Sequence, residues 1–428
     1  MRRGLPKSGT SAREVRIRNA APSARGRSGG SSLAPWWHHL LLWALFLATL
    51  PLVNLKATPA AGNAGATVML SPFVAAADAG VSLARSRGSQ LRADGTGWPR
   101  TWARAFGSSL YIFLGLWMSY RLSLRFAKPG AALLATIAIW LASSLPVYLY
   151  VQPFASSGAA MFAAALVLTV WLWVRANASR ARWFCFGLAG GLAVLTSPFS
   201  AAFLVVALLE CVSQMARPRG FVPALINLLI FAAAGATLIA PAAYFTSQNL
   251  PPMHWSSPQL GAATFSMAHG AFVWTPVLLL AVLGLGLAVR RQPAVGAALL
   301  LSGALFFYLV AALEYSSPAE PAFGNPHLVP LTPVFACGLA ALIDSVAGSR
   351  GRVAWASAVA GTALLVMWNL GLMLQWGTGL IPRNEPLDLR EAAVNQWTVV
   401  PPAAKDFVIR YMNERKGLVS GLEGGTRE

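Results

Sequence analysis

Long apolar blocks separated by short polar stretches dominate this sequence. The apolar blocks stay uncharged over about 18 residues or more, enough for a helix to cross a hydrocarbon core about 30 Å thick. In lipid, only helices and closed barrels satisfy their own backbone hydrogen bonds. Barrel strands alternate apolar and polar residues over segments of about ten, and these blocks do not alternate. The pattern therefore predicts an all-α polytopic membrane protein.

We predict about eleven transmembrane helices. They lie at residues 38–55, 107–125, 130–150, 157–175, 183–197, 199–214, 222–246, 271–289, 294–314, 329–346 and 353–376. The pair within 183–214 is divided at Ser197-Pro198 into two short segments, so the pattern leaves open whether it makes two full crossings. The predicted organisation is a disordered basic tail (1–35), a transmembrane domain (36–376) that contains a first outer loop (56–106), and a C-terminal tail (377–428).

Composition supports the membrane class. The chain has 428 residues, of which 56% are hydrophobic and 11% are charged, whereas soluble domains carry about 25% charged residues. The net charge is +19, but no basic stripe with interleaved aromatic residues is present, so we expect no nucleic-acid partner. Lys and Arg instead collect in alternate short loops, which is typical of cytoplasmic loops in membrane proteins. These predicted inner loops hold Arg121, Arg125, Lys128, Arg175, Arg180, Arg182, Arg217, Arg219, Arg290, Arg291, Arg350 and Arg352.

The charge pattern also predicts the orientation. It indicates a multi-pass protein of the inner (plasma) membrane with a cytoplasmic N-terminus and an extracytoplasmic C-terminal tail. The outer loops at "VQPFASS", "TSPF", 247–270 and 315–328 contain no Lys or Arg. The first outer loop is an exception because it carries several basic residues. They are Lys56, Arg85, Arg87, Arg92, Arg100 and Arg104.

Polar groups suited to group transfer gather in the predicted outer loops. A carboxylate can take a proton from an attacking hydroxyl, and cations or imidazoles can stabilise a phosphate leaving group. The candidates are the carboxylates Asp78, Asp94 and Glu314, the cations Arg100 and Arg104, the imidazoles His269 and His327, and the amides Gln152 and Asn325. An outward cavity with these groups would suit transfer from a lipid-linked phosphate donor, although each of them can also be an ordinary solvated loop residue.

Other classes of chemistry find less support in the residues. No HExxH pair or comparable ligand spacing predicts a metal site, and no Walker loop, GxGxxG fold context or Ser-His-Asp signature is present. A transporter would be expected to carry ionisable residues within its helices. Glu210 is the only acidic residue clearly inside an apolar block, near a predicted inner end, so transport of a lipid-linked glycan is the least favoured alternative.

Several stretches between about residues 105 and 346 resemble one bacterial membrane family in their order and spacing. They are "GSSLYIFLGLWMSYRLSLRF", "LPVYLYVQPFASSGAAMFAAALVLTVWLWVR", "GLAGGLAVLTSPFSAAFLVVALLE", "FSMAHGAFVWTPVLLLAVLGLGL" and "FGNPHLVPLTPVFACGLAALID". Together they are similar to the GT-C-type glycosyltransferases, relatives of protein O-mannosyltransferases and of bacterial lipid A and arabinose transferases. The resemblance implies an all-α GT-C-like membrane fold.

The resemblance also implies a reaction. Such enzymes move a sugar, with inversion, from a polyprenyl-phosphate carrier to a lipid, glycan or protein hydroxyl on the outer face of the membrane. The expected partners are therefore membrane lipids, the lipid-linked sugar and the acceptor, and the donor lipid is a substrate, so no separate cofactor is implied. An acidic residue of the first outer loop serves as base in this family, and basic groups near the membrane surface hold the lipid phosphate.

This chain departs from the family pattern after the first helix. The stretch "NLKATPAAGNAGATVMLSPF" contains no acid, which leaves Asp78 and Asp94 as the acids of that loop. One hypothesis takes Asp94 as the base, places Arg100 and Arg104 near the donor phosphate, and lines the cavity with His269, Glu314 and His327. Gln152 and Asn325 are further candidates for substrate binding. The alternative is a catalytically degenerate relative that binds a carrier lipid or a partner protein.

Overall fold

The structure is a computed structural model, and it describes residues 34–55, 57, 63–88, 98–245, 253–313, 322–348, 351–382, 385–406, 409 and 413. These residues are almost entirely helical, apart from turns and an isolated antiparallel bridge between Met253 and Leu313. The basic tail predicted at 1–35 lies outside the described residues except for its last two positions.

The α-helices of the described residues are numbered in chain order. They are α1 Trp36–Thr49, α2 Ala64–Ser86, α3 Trp98–Ser123, α4 Pro129–Ala142, α5 Ser156–Ala176, α6 Arg180–Thr196, α7 Val205–Met215, α8 Phe221–Phe245, α9 Leu260–Phe265, α10 Ala271–Trp274, α11 Val277–Arg291, α12 Pro293–Ala311, α13 Thr332–Ala347, α14 Gly351–Thr378 and α15 Leu389–Thr398. Short 3₁₀ segments lie at Leu50–Leu52, Pro198–Leu204 and Pro326–Leu331, and one π-helical turn lies at Val147–Val151.

Each of the predicted spans falls on a helix or on a helix interrupted by a tight turn, which confirms the all-α polytopic class. Among the described residues, 7 helical segments are long and apolar enough to cross a membrane by length and composition. They are Ala64–Ser86, Ser156–Ala176, Pro198–Met215, Phe221–Pro241, Pro293–Ala311, Pro326–Ala347 and Gly351–Thr378. Interruptions occur beside Pro146, Pro198 and Pro276, because proline has no N–H to give to the helix and clashes with the preceding turn.

Close helix contacts hold the bundle together where small residues face one another. A methyl group added to Gly191 of α6 would lie 2.6 Å from the carbonyl oxygen of Gly235 in α8. In the same way, a methyl group on Gly284 of α11 would overlap the carbonyl oxygen of Gly338 in α13. Small residues allow helix backbones to approach this closely in membranes. The sequence "GLAGGLAVL" therefore acts as a packing face.

Loops predicted on the same side of the membrane meet at the same end of the bundle. At one end, Arg291 forms an ion pair with Asp344 at 2.6 Å, and the Lys128 ammonium donates to the Gly348 carbonyl at 2.8 Å. At the other end, the N–H of His254 donates to the carbonyl of Ala312 at 2.7 Å. We name these the inner end and the outer end after the predicted orientation, which itself stays a prediction.

The first outer loop contains a helix that the sequence pattern did not predict. Asn63 caps α2 by accepting from the Ala66 N–H at 3.0 Å, and its amide donates to the Thr196 carbonyl at 3.0 Å, at the outer end of α6. An alanine-rich stretch favours helix once such a cap is present. Along α3, the Tyr111 hydroxyl donates to the Met69 carbonyl at 2.9 Å.

The helix α2 runs antiparallel to the beginning of α3 and away from the bundle. Gly158, near the start of α5, lies against Ser108 and Ile112 of α3. The residues of α3 before 108 therefore extend past the outer end of α5 by about 15 Å, at 1.5 Å per residue. We call α2 together with residues 98–107 the outer hairpin. Although α2 is apolar enough to span a membrane, its contacts place it beside this extension.

Candidate functional site

A small polar recess lies at the outer end of the bundle, where three broken helices meet. It is bordered by the end of α4, the turn between α10 and α11, and the 3₁₀ segment before α13. Its lining residues are Ser143, Ser144, Ala271, Thr275, Leu278, Asn325, Leu328, Val329, Thr332 and Phe335. The recess has a volume of about 10 Å³, which is room for roughly one water molecule. We call it the outer recess.

Asn325 joins the recess to the start of the last bundle helices. Its side-chain oxygen accepts a hydrogen bond from the His327 N–H at 3.1 Å, and the residue is buried. This is the geometry of a helix N-cap, in which a short polar side chain satisfies a free N–H of the first turn. The cap holds the backbone of His327 next to Asn325, and the role of either residue at a site stays a prediction.

The two predicted histidines lie beside the recess. The Nδ1 atom of His269 is 3.2 Å from the carbonyl oxygen of Gly324. Because a carbonyl oxygen can only accept, Nδ1 carries the hydrogen, and Nε2 of the neutral ring is left as an acceptor. The ring of His327 packs edge-on against Phe199 with 5.5 Å between centroids. The His269 ring and the His327 backbone are held by two consecutive residues, Gly324 and Asn325.

A buried amide from α14 holds the α4 side of the recess in place. The Asn369 side chain donates to the carbonyls of Leu141 at 3.0 Å and of Ser143 at 2.8 Å. The last carbonyls of a helix have no partner within it, so this amide satisfies the end of α4 and positions Ser143 and Ser144. The sequence pattern did not single out either serine or Thr275. In the sequence, these hydroxyl residues are marked by their position shortly before Pro146 or Pro276. This is a weak indication of a site because hydroxyl side chains are common in membrane helices.

The outer hairpin carries the next group of predicted residues. Asp78 and Arg100 form a two-point ion pair, from Nε to Oδ1 and from Nη2 to Oδ2, the second at 2.8 Å. Asp78 lies more than halfway along α2, about 21 Å along the helix from Ala64. One of the candidate catalytic carboxylates and one of the predicted phosphate ligands thus bind each other. Arg104 is exposed and lies one turn nearer the bundle.

The other predicted site residues are Gln152, Asp94 and Glu314. Gln152 follows the π-helical turn, and its N–H donates to the Val147 carbonyl at 2.7 Å. The neighbouring Val151 carbonyl accepts from the Asn54 amide at 3.3 Å, so Gln152 lies near the end of α1 and does not line the outer recess. Asp94 and Glu314 lie outside the described residues. In the part of the chain that is described, no group of three or more His, Cys, Asp or Glu could hold a metal ion.

These features define the class of the protein. It is an all-helical integral membrane protein that spans the bilayer several times and gathers polar side chains at one end of an apolar bundle.

This chain resembles a protein of known structure. No protein-family model matches the chain, and no curated protein matches it. The chain is similar in helical architecture to ArnT from Cupriavidus metallidurans, whose crystal structure is bound to undecaprenyl phosphate. The two are 15% identical with a TM-score of 0.46, over 86% of this chain and 77% of that one. A similarity of this degree assigns no activity to the chain and no role to its residues.

Proposed function

We propose that the chain is a glycosyltransferase that takes a sugar from a polyprenyl-phosphate carrier at the outer end of the bundle. The observation that carries this proposal is the convergence of polar groups from distant parts of the sequence around the outer recess. Ser143, Thr275, His269 and Asn325 meet there in an otherwise apolar bundle. Polar groups are costly inside a membrane protein and concentrate at functional sites. The GT-C resemblance of the sequence supports the class of donor.

The orientation of His269 supports a role in handling the acceptor hydroxyl. Its Nδ1–H is held by the Gly324 carbonyl, which leaves Nε2 to accept a proton or a hydrogen bond. Asp94 and Glu314 stay candidates for the catalytic base on the strength of the sequence. In the transfer itself, the acceptor oxygen forms a bond to the anomeric carbon, the bond from that carbon to the phosphate oxygen breaks, and the base takes the hydroxyl proton.

Among the cations that the structure describes, Arg104 is the one best placed to hold the donor phosphate. It lies one helical turn from Ser108, which packs beside Gly158 near the first turn of α5. That level marks the ends of the bundle helices, where lipid headgroups would lie. A guanidinium presents several donors to phosphate oxygens. Arg100 would join it only by sharing its ion pair with Asp78.

Donor binding requires the outer recess to open. A space of about 10 Å³ admits no sugar, because pockets for small ligands are on the order of 300 Å³ or more. Many enzymes complete their site only when segments around it move. The short helix α10 contributes Ala271 to one wall of the recess, and we expect this helix to move away from the 3₁₀ turn at Pro326–Leu331 when the recess opens.

The test is transfer of radiolabelled sugar from a polyprenyl-phosphate donor in membranes that contain the intact chain. We expect His269→Gln and Asp94→Asn each to lower transfer by at least about tenfold, the scale typical of general acid–base groups and their partners. His254→Gln is the matched control, since His254 is an exposed outer-end histidine that does not line the recess. Transfer by both test variants at the intact rate would contradict the assignment of these residues.

The second candidate function is binding without catalysis. In this case the chain would bind the carrier lipid or a partner protein and transfer no sugar. This function is favoured by one observation: among the described residues, no carboxylate lines the outer recess, and Asp78 is paired with Arg100. This candidate predicts saturable binding of a polyprenyl phosphate without transfer of sugar from any donor. Transfer that is lost in Asp94→Asn would contradict it.

A further inference from the structure

A second, larger cavity lies at the opposite end of the bundle. Its volume is about 440 Å³, and it is bounded by the loop after α3, the last turn of α5 and the first turn of α12. The lining residues are Arg125, Leu172, Arg175, Ala176, Gln292, Pro293, Ala294 and Val295. We call it the inner pocket. It shares no residue with the outer recess.

The first turn of α12 presents free N–H groups to this pocket. Pro293 has no N–H, and the first intrahelical bond runs from the Gly296 N–H to the Gln292 carbonyl at 2.8 Å. The N–H groups of Ala294 and Val295 therefore have no partner within the helix. No side chain caps this end, since the Gln292 amide instead donates to the Arg125 carbonyl at 2.9 Å. Such a helix start attracts anions because of its free donors and the helix dipole.

Two guanidinium groups face the same space. Arg175 donates to the buried carboxylate of Glu210 at 3.0 Å, and this carboxylate also accepts from the Gln214 amide at 3.2 Å. For the Arg125 guanidinium, the described residues provide neither an ion-pair partner nor a hydrogen bond. Two cations and one carboxylate leave one positive charge unbalanced at the pocket.

Neighbouring basic residues at the inner end are already engaged. Arg291 pairs with Asp344, and Lys128 donates to the Gly348 carbonyl. These contacts fix the surrounding loops, whereas Arg125 is tied to α12 through its backbone carbonyl alone. The Gln292 amide therefore holds the backbone of Arg125 beside the uncapped helix start, and its guanidinium, which lines the same pocket, has no partner among the described residues. A bound anion could accept hydrogen bonds from the Arg125 guanidinium and from the free N–H groups at the start of α12.

We propose that the inner pocket binds a phosphate group, held by the guanidinium groups of Arg125 and Arg175 and by the N–H groups of Ala294 and Val295. A phosphate offers several oxygens, and arginine can bind two of them at once. The volume exceeds that of a phosphate ion and leaves room for an ester substituent. The phosphate can belong to an anionic lipid headgroup or to a soluble phosphate ester, and the chemistry of recognition is the same.

Ligand-dependent thermal unfolding of the purified full-length protein in a neutral detergent tests this proposal. One arm adds inorganic phosphate, with sodium chloride keeping the ionic strength constant. The other arm adds phosphatidylglycerol, with phosphatidylcholine as the uncharged control. A ligand that binds only the folded protein raises the unfolding temperature in a saturable way. We expect this rise for the intact chain in at least one arm, with apparent affinity reduced at least about tenfold in Arg125→Gln.

Arg121→Gln is the matched control, because Arg121 is an exposed arginine at the inner end of α3 that lies over Trp117 and does not line the pocket. It should titrate like the intact chain.

A rise with inorganic phosphate would indicate a soluble ligand, and a rise with phosphatidylglycerol alone would indicate a lipid headgroup. No rise in either arm, or the same titration for Arg125→Gln as for the intact chain, would overturn the proposal. If Arg125→Gln does not fold, the same titration is made with Arg125→Lys. Weaker binding by that variant would support the site, and unchanged binding would overturn the proposal.

Discussion

At the scale of single residues, the structure redistributes the polar groups that the sequence placed together. His269, Asn325 and His327 do meet at the outer end, and the sequence could indicate this because they lie close to the ends of apolar blocks. The pairing of Asp78 with Arg100 could not be foreseen, since it depends on a helix that lay within a predicted loop. Ser143 was overlooked because its role follows from a contact with the distant Asn369.

The ion pair on the outer hairpin leads to a prediction about Asp78. Both side chains are well exposed, and exposed ion pairs contribute little to stability. We expect Asp78→Asn to unfold at nearly the same temperature as the intact protein and to transfer sugar at nearly the same rate. Thermal unfolding and the transfer assay measure both. A loss of transfer comparable with that of Asp94→Asn would show instead that Asp78 serves the reaction.

At the scale of helices, the positions of the spans could be predicted and their irregularities could not. A block without charge over the thickness of a bilayer has few alternatives to helix, so the predicted blocks are helical. The helix α2 was missed because its residues lie within the segment 56–106, which was predicted as a loop. Pro72 and Asp78 interrupt its apolar pattern, and its helical state depends on the Asn63 cap and on packing against α3.

Contact between α11 and α13 supplies a prediction with an internal control. A methyl group on Gly284 would overlap the Gly338 carbonyl, whereas one on Gly286, two residues along the same helix, would meet nothing within 4 Å. We expect Gly284→Ala to lower the free energy of unfolding by about 1–3 kcal/mol, the cost typical of overpacking. Gly286→Ala should leave it unchanged or slightly higher, because alanine favours helix over glycine.

Denaturant unfolding in detergent measures both variants under the same conditions. The paired design removes general effects of substitution in a membrane helix. Equal stability of the two variants would mean that α11 and α13 do not approach each other at Gly284 as described.

At the scale of the whole molecule, two different polar sites lie at opposite ends of one bundle. The outer recess gathers hydroxyls, an amide and imidazoles, and the inner pocket gathers guanidinium groups and a helix start. This division follows the charge pattern that predicted the topology, since arginine is concentrated in the predicted inner loops. The sequence could indicate the two ends, but it could not indicate that the outer recess would be nearly closed.

The predicted orientation can be measured by cysteine labelling in intact cells. In a Cys185→Ser background, the exposed native thiol is removed, and Cys211 and Cys337 stay buried. We expect a membrane-impermeant maleimide to label His254→Cys from outside and to label Arg217→Cys only after the cells are broken. Labelling of Arg217→Cys in intact cells would reverse the orientation and place the outer recess in the cytoplasm.

Binding of a polyprenyl phosphate, compared with the polyprenol that lacks the phosphate, tests the central claim most directly. The purified full-length protein should bind the phosphate form at least about tenfold more tightly. Arg104→Gln should remove that preference, whereas Arg125→Gln, at the inner pocket, should keep it. Equal binding of the two lipids by the intact protein, or a preference that depends on Arg125 and not on Arg104, would contradict an outward site for a lipid-linked sugar.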